Sequence, residues 1–175
     1  MYDNPFEPVK RKTLSNALVI IAFLFIVAAI FFVVVFRVRP YKIYGHSMNP
    51  TLYEGELVFS RSVKKYNRGD VIVFELDNAP TIKRIIGVPG DKVYIDDSGI
   101  VKVNDQTISE PYVSSFAKGQ IETQNPCIVS NGYYYVLGDN RGDSKDSRLY
   151  KVGQIREDLI MGKVFFSLSK FKKIS

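Results

Sequence analysis

Residues Ala17 to Phe36 run for twenty positions without a charge or a hydrogen-bonding side chain. At about 1.5 Å per helical residue, that length matches the roughly 30 Å hydrocarbon core of a bilayer. The pattern predicts a polar start over 1–12 and one transmembrane helix over 13–36, capped by Thr13 or Ser15. A cleavable secretory signal has a shorter apolar core and a small-residue exit. Here Phe36-Arg-Val-Arg-Pro40 follows the run, so an uncleaved signal-anchor is expected.

After Pro40 the texture changes. Runs rich in Val, Ile, Tyr and Phe alternate with Gly, Pro, Asn and Asp. They predict strands over 41–45, 56–63, 70–76, 80–86, 92–96, 99–104, 133–137 and 162–167. Residues 155–160 are expected to make one helical turn. No long amphipathic helix and no repeat interrupts this series, so 37–175 reads as one mainly β domain. Residues 105–131 are polar and irregular, and they fall in an expected inserted subdomain near 97–132.

Charge and cysteine content narrow the function classes. The formal net charge is +6, and no basic run is interleaved with aromatics. Nucleic acid is therefore not an expected partner; anionic lipid headgroups are the simpler one. Lys10, Arg11 and Lys12 before the span balance Arg37, Arg39 and Lys42 after it, so charge alone leaves orientation open. Cys127 is the single cysteine and His46 the single histidine. No intramolecular disulfide, no Ser-His-Asp relay and no His/Cys metal cluster is expected.

A serine nucleophile without a relay histidine needs another base. Ser47 lies in Gly45-His-Ser-Met-Asn-Pro-Thr-Leu52, where alternation turns His46 away from the hydroxyl. Lys83 lies in Thr81-Ile-Lys-Arg-Ile-Ile86, sharing one strand face with Thr81 and Ile85, while Arg84 shares the other with Ile82 and Ile86. Of the two cations only lysine loses its proton at working pH. Bringing its pKa from about 10.4 to near 7 means destabilising the ammonium by roughly 4–5 kcal/mol, which apolar burial supplies. In Leu137-Gly-Asp-Asn-Arg-Gly-Asp-Ser-Lys-Asp-Ser-Arg148, Asp139 and Asp146 are expected to pair with Arg141 and Arg148 and lock a loop. Ser144 and Ser147 are available there to orient an amine. A calcium loop starting at Asp139 fails, because positions 3, 6 and 12 are Arg141, Ser144 and Tyr150. The two Arg-Gly-Asp triplets, 68–70 and 141–143, read as turns.

Four segments in this order resemble the boxes of bacterial type I signal peptidases of the Ser-Lys kind: Gly45 to Leu52, Arg68-Gly-Asp-Val-Ile-Val-Phe74, Lys83-Arg-Ile-Ile-Gly-Val-Pro-Gly-Asp91, and Gly138 to Arg148. The single anchor and modest length look most like a Gram-positive member. The resemblance implies an antiparallel β-sheet catalytic domain and no cofactor or metal. It makes Ser47 the nucleophile, Lys83 the general base and the Ser47 N–H an oxyanion donor. Ser144 would hydrogen-bond the amine. Asp146 and Arg148, with Asp139 and Arg141, would brace the loop, and Met48 would line a substrate pocket. In some relatives a serine two residues before the nucleophile is a second oxyanion donor; here that position is Gly45. The implied substrates are secreted preproteins with small residues at −1 and −3. The implied location is the cell membrane, N-terminus cytoplasmic, catalytic domain outside. Two rivals are a soluble self-cleaving repressor-like protease and a membrane-tethered assembly or adhesion module without catalysis.

Overall fold

The computed structural model describes residues 9–169 and 172–174, and on the N-terminal helix the side chains of 16–32 and 37. The chain divides into two compact units, 1–38 and 39–175. The first holds helix α1, Val9–Arg37. It starts four residues earlier than expected because Lys10, Arg11 and Lys12 are themselves good helix formers. Its side chains over 16–32 are all exposed. Among the described residues no helix is long and apolar enough to cross a membrane. The expected span of 13–36 extends past the described side chains at both ends, and residues 1–8 of the expected polar start lie outside the described residues.

The second unit is mainly β, as its alternating pattern dictates. The strands are β1 Val38–Lys42, β2 Leu57–Arg61, β3 Val71–Leu76, β4 Ala79–Gly87, β5 Lys92–Ile95, β6 Val101–Val103, β7 Gln106–Thr107, β8 Cys127–Ile128, β9 Tyr133–Leu137, β10 Ile155–Arg156, β11 Ile160–Ser167 and β12 Lys172–Lys173. A short 3-10 turn, Glu157–Leu159, replaces the helical turn expected over 155–160. The main sheet runs β1-β2-β11-β3-β4-β9-β10, with β12 on β11. The registers through β2, β11, β3, β4, β9 and β10 are all antiparallel.

The inserted region is more ordered than the sequence indicated. A four-stranded sheet, β7-β6-β5-β8, starts at Lys92 and brackets the irregular stretch. β5 and β6 fall within the expected runs 92–96 and 99–104, while β7 and β8, two residues each, are too short to leave an alternation signal. The sheet closes over its own core of Ile86, Val93, Ile95, Val101, Val103, Cys127 and Leu137. A second core, Ile43, Met48, Leu52, Val58, Val71, Val73 and Val164, lies under the Ser47 turn. A third, around Ile72, Phe74, Ile85, Tyr134 and Val136, fills the opposite face. β4 contributes to all three, through Ile86, Ile82 and Ile85. That makes it the most firmly held element from which to present a catalytic side chain.

Candidate active site

Residues 46–52 form a tight turn. The Asn49 N–H donates to the His46 carbonyl at 3.0 Å, and the Leu52 N–H to the Met48 carbonyl at 2.9 Å. Met48 and Leu52 are 2% and 0% exposed, so the turn is plugged into the core and Ser47 is left half-buried beside a cleft. β4 brings Lys83 to it. Lys83 Nζ lies 2.8 Å from Ser47 Oγ and donates to the Ile82 carbonyl at 3.0 Å. Lys83 is 4% exposed. Burial pushes its pKa down to about 8, against the opposing pull of Asp146 and then Asp139.

A buried ammonium would ordinarily recruit a carboxylate. Here the two carboxylates whose charges act on Lys83, Asp146 and Asp139, are each held by an arginine. Asp146 accepts from Arg148 Nε at 2.7 Å and from its terminal nitrogen at 2.8 Å. Asp139 accepts from Arg84 Nε at 2.9 Å and from its terminal nitrogen at 2.7 Å, and Thr51 Oγ1 donates to the same carboxylate. Glu110 receives both terminal nitrogens of Arg141. All six side chains are at most 5% exposed. Tyr112 joins two of the pairs. Its ring lies 3.9 Å beneath the Arg84 guanidinium and its hydroxyl donates to Glu110 at 3.0 Å. Burial, then the Glu110 charge, pushes the Tyr112 phenol up, so it stays a protonated donor.

This pairing corrects one expectation. Asp146 takes Arg148 as predicted, but Asp139 does not pair with Arg141. Arg84 reaches across from β4 to hold Asp139, and Arg141 turns to Glu110 and to the Gly138 carbonyl at 3.0 Å. Arg148 also donates to the Arg141 and Lys118 carbonyls, both at 2.9 Å, and so ties the loop to the inserted region. The Ser144 bond to the amine is not formed either. Among the described residues Ser144 Oγ, buried against Gly138, has no hydrogen-bond partner.

Gly138 itself is a steric requirement. A Cβ there would lie 2.2 Å from Ser144 Oγ and 2.5 Å from the Ser47 carbonyl. The absence of a side chain lets the loop approach Ser47, whose carbonyl accepts from the Asn140 N–H at 3.0 Å, while the Asn140 amide donates to the His46 carbonyl at 3.2 Å. The loop thus grips the nucleophile by its backbone.

The cleft beside the dyad has a volume of about 110 Å³. Lys42, Ile43, Tyr44 and Met48 form one wall, and Pro80, Thr81 and Ile82 the other. Met48 therefore serves both the core and the cleft. Among the described residues the Ser47 N–H has no acceptor. The Gly45 N–H leans on the Glu54 carboxylate at 3.4 Å, and the same glutamate sits 3.5 Å from exposed His46. His46 is therefore engaged with Glu54, on a tight turn rather than on the extended strand that alternation assumed. Both Arg-Gly-Asp triplets are ion-paired turns: Arg68 holds Asp91, Asp70 holds Lys163, and Arg141 is buried on Glu110.

Sequence reasoning missed Arg84, Glu110, Tyr112 and Thr51. Only Arg84 left a signal, since an arginine among Ile82 and Ile86 demands a carboxylate somewhere in the fold.

The chain is similar to known proteins along most of its length. Signal peptidase IB of Staphylococcus aureus is 38% identical, over 93% of this chain and 94% of its own length. Signal peptidase I of Bacillus licheniformis is 37% identical, over 79% and 82%. The crystal structure of a signal peptidase I from Enterococcus faecalis V583 is 31% identical with a TM-score of 0.49, covering 58% of this chain and 98% of that one. The model of the family described as signal peptidase, peptidase S26, matches residues 16–169. A buried lysine in contact with a half-buried serine, in a chain matched over nearly its whole length, places the protein in that family: it belongs to the S26 signal peptidases.

Proposed function

We propose that this chain is a membrane-anchored serine endopeptidase that removes N-terminal signal peptides from secreted preproteins. The observation that carries this is the 2.8 Å contact between Ser47 Oγ and a buried amine whose neighbouring carboxylates Asp139 and Asp146 are each held by an arginine. An extended signal-peptide end lies in the cleft as an added strand. The limited volume favours short side chains at −1 and −3. Neutral Lys83 takes the Ser47 hydroxyl proton as Oγ bonds to the scissile carbonyl carbon. The oxyanion receives the Ser47 N–H. The tetrahedral adduct collapses and expels the mature protein's amine, which takes the proton back from Lys83. Water, deprotonated by the same amine, then hydrolyses the acyl-enzyme and frees the signal peptide.

The anchor belongs to the same reading. Twenty uncharged residues over 17–36, with every described side chain of 16–32 exposed, suit a helix surrounded by lipid. Its orientation, N-terminus cytoplasmic and catalytic domain outside, follows from the resemblance. A membrane-held enzyme and a membrane-held substrate meet at raised local concentration. The assembly or adhesion alternative has no observation in its favour, because both Arg-Gly-Asp turns are engaged in ion pairs.

The test is incubation of the detergent-solubilised full chain with a preprotein, followed by N-terminal sequencing of the product. The expected new N-terminus follows an Ala-x-Ala or similar small-x-small triplet; an intact preprotein refutes the assignment. The rate should also report the base. With the Lys83 pKa at about 8, only about one amine in ten is neutral at pH 7. Because the neutral form is the active one, kcat/KM should rise about tenfold per pH unit below pH 8 and level off above it. A rate that falls across that interval would exclude lysine as the base.

A further inference from the structure

β4 is paired with β3 from Ala79 to Arg84, but with β9 only from Arg84 onward. Among the described residues no strand covers its other edge before Arg84, and that edge faces the cleft through Pro80, Ile82 and their neighbours. The backbone groups of successive strand residues point alternately to the two sides. The register shows which go where. Asp77 and Asn78, at φ 52° and 61°, form a two-residue hairpin loop, which makes Leu76 and Ala79 a hydrogen-bonded pair. At the other end the Ile85 N–H donates to the Asp70 carbonyl at 2.9 Å, and the Ile85 carbonyl accepts from the Gly69 N–H at 2.8 Å. Residues 79, 81, 83 and 85 therefore direct their backbone groups toward β3. Residues 80, 82 and 84 direct theirs the other way. Arg84 meets Leu137 of β9; Pro80 and Ile82 meet the cleft.

An arriving strand thus finds three groups on this edge. The Ile82 N–H is available. The Ile82 carbonyl already accepts from Lys83 Nζ at 3.0 Å. The Pro80 carbonyl is available, but proline has no N–H. A substrate carbonyl placed opposite residue 80 has no donor, whichever direction the strand runs.

We propose that Pro80 is a specificity-determining residue that ends main-chain pairing between substrate and β4. The proposal rests on the peptidase reading above. Substrate is bonded to β4 through the Ile82 N–H and the Pro80 carbonyl, next to Lys83 and the scissile bond. Farther from the scissile bond this wall contributes no main-chain donor. That part of the signal peptide is held by side-chain contacts and by the opposite wall around Ile43 and Tyr44. Recognition on the β4 side is confined to a short stretch, and lengthening the substrate beyond it gains nothing there.

The experiment uses the full chain in detergent micelles and steady-state kinetics on one synthetic peptide spanning a signal-peptide cleavage site. Pro80→Ala restores a donor at an exposed strand position. It should lower KM about three- to tenfold, the worth of one added hydrogen bond, and leave kcat within about twofold. A panel of the same peptide, each with one backbone carbonyl replaced by a methylene, supplies the control. In one member the KM advantage of Pro80→Ala should disappear. An unchanged KM overturns the proposal. So does an advantage that persists in every methylene peptide, because the proline ring rather than the missing donor would then be responsible. If the parent enzyme cleaves no peptide of the panel, the peptidase reading itself fails, an outcome separate from a flat Pro80→Ala result.

Discussion

Lys83→Met will abolish preprotein processing while making the domain more stable at pH 7. The loss of activity is on the order of 10³-fold or more, since the variant has no proton acceptor within reach of Ser47. The gain in stability follows from the direction of the pKa shift. Burial lowers the Lys83 pKa from 10.5 to about 8. Between those values the unfolded chain binds more protons than the folded one, so stability of the parent rises with pH across that window. Below about pH 8 the penalty is fully present, at roughly 3 kcal/mol. Methionine is similar in length, carries no charge and removes it. Urea unfolding of parent and variant should therefore differ most at pH 7 and converge near pH 10.5. Ser47→Ala should be equally inactive, with stability close to that of the parent. A Lys83→Met enzyme that still cleaved preprotein would require a different base. One that was inactive but markedly less stable would mean that the amine sits in the fold as a structural cation.

The two halves of this dyad were legible because each leaves a local mark. Ser47 stands in a turn whose Met48 and Leu52 must be buried, and Lys83 stands in a short β-rich run, Thr81 to Ile86, as the one cation there that can lose its proton. The Asp146–Arg148 pair was legible for the same reason, since its members are two residues apart. Six strands of the main sheet, β1, β2, β3, β4, β9 and β11, were found within a few residues because each is long enough to carry an apolar run, whereas β10 and β12, two residues each, were not found, and β10 falls where a helical turn was expected. What failed was long-range pairing. Asp139 and Arg141 are near neighbours in sequence, and a local rule joins them. The fold instead brings Arg84 to Asp139 from 55 positions away, and Glu110 to Arg141 from 31. Local charge spacing cannot report which carboxylate a buried guanidinium will meet. The short strands β7 and β8 went unpredicted for a related reason: two residues do not establish a period.

Those long-range pairs lead to the second large effect. Asp139→Ala should destabilise the domain by about 3–5 kcal/mol, because it leaves the buried Arg84 guanidinium without its carboxylate. The Gly69 carbonyl at 2.7 Å and the Tyr112 ring, which also contact Arg84, are uncharged. The Thr51 bond to this carboxylate goes in the same step, one of the links between the nucleophile turn and the Gly138 loop beside those that Asn140 makes. Asp139→Asn keeps an acceptor oxygen and should recover part of the stability but not the charge. That variant therefore separates the structural role of Asp139 from its electrostatic one. The Asp139 charge raises the Lys83 pKa, opposing desolvation. Removing it lets the amine lose its proton more readily, so the midpoint of the pH–rate profile of Asp139→Asn should move below that of the parent. A variant less stable than the parent but with an unmoved midpoint would confine Asp139 to bracing. A midpoint that moved upward would reverse the electrostatic sign assigned to Asp139, whose charge opposes the loss of the Lys83 proton that burial favours.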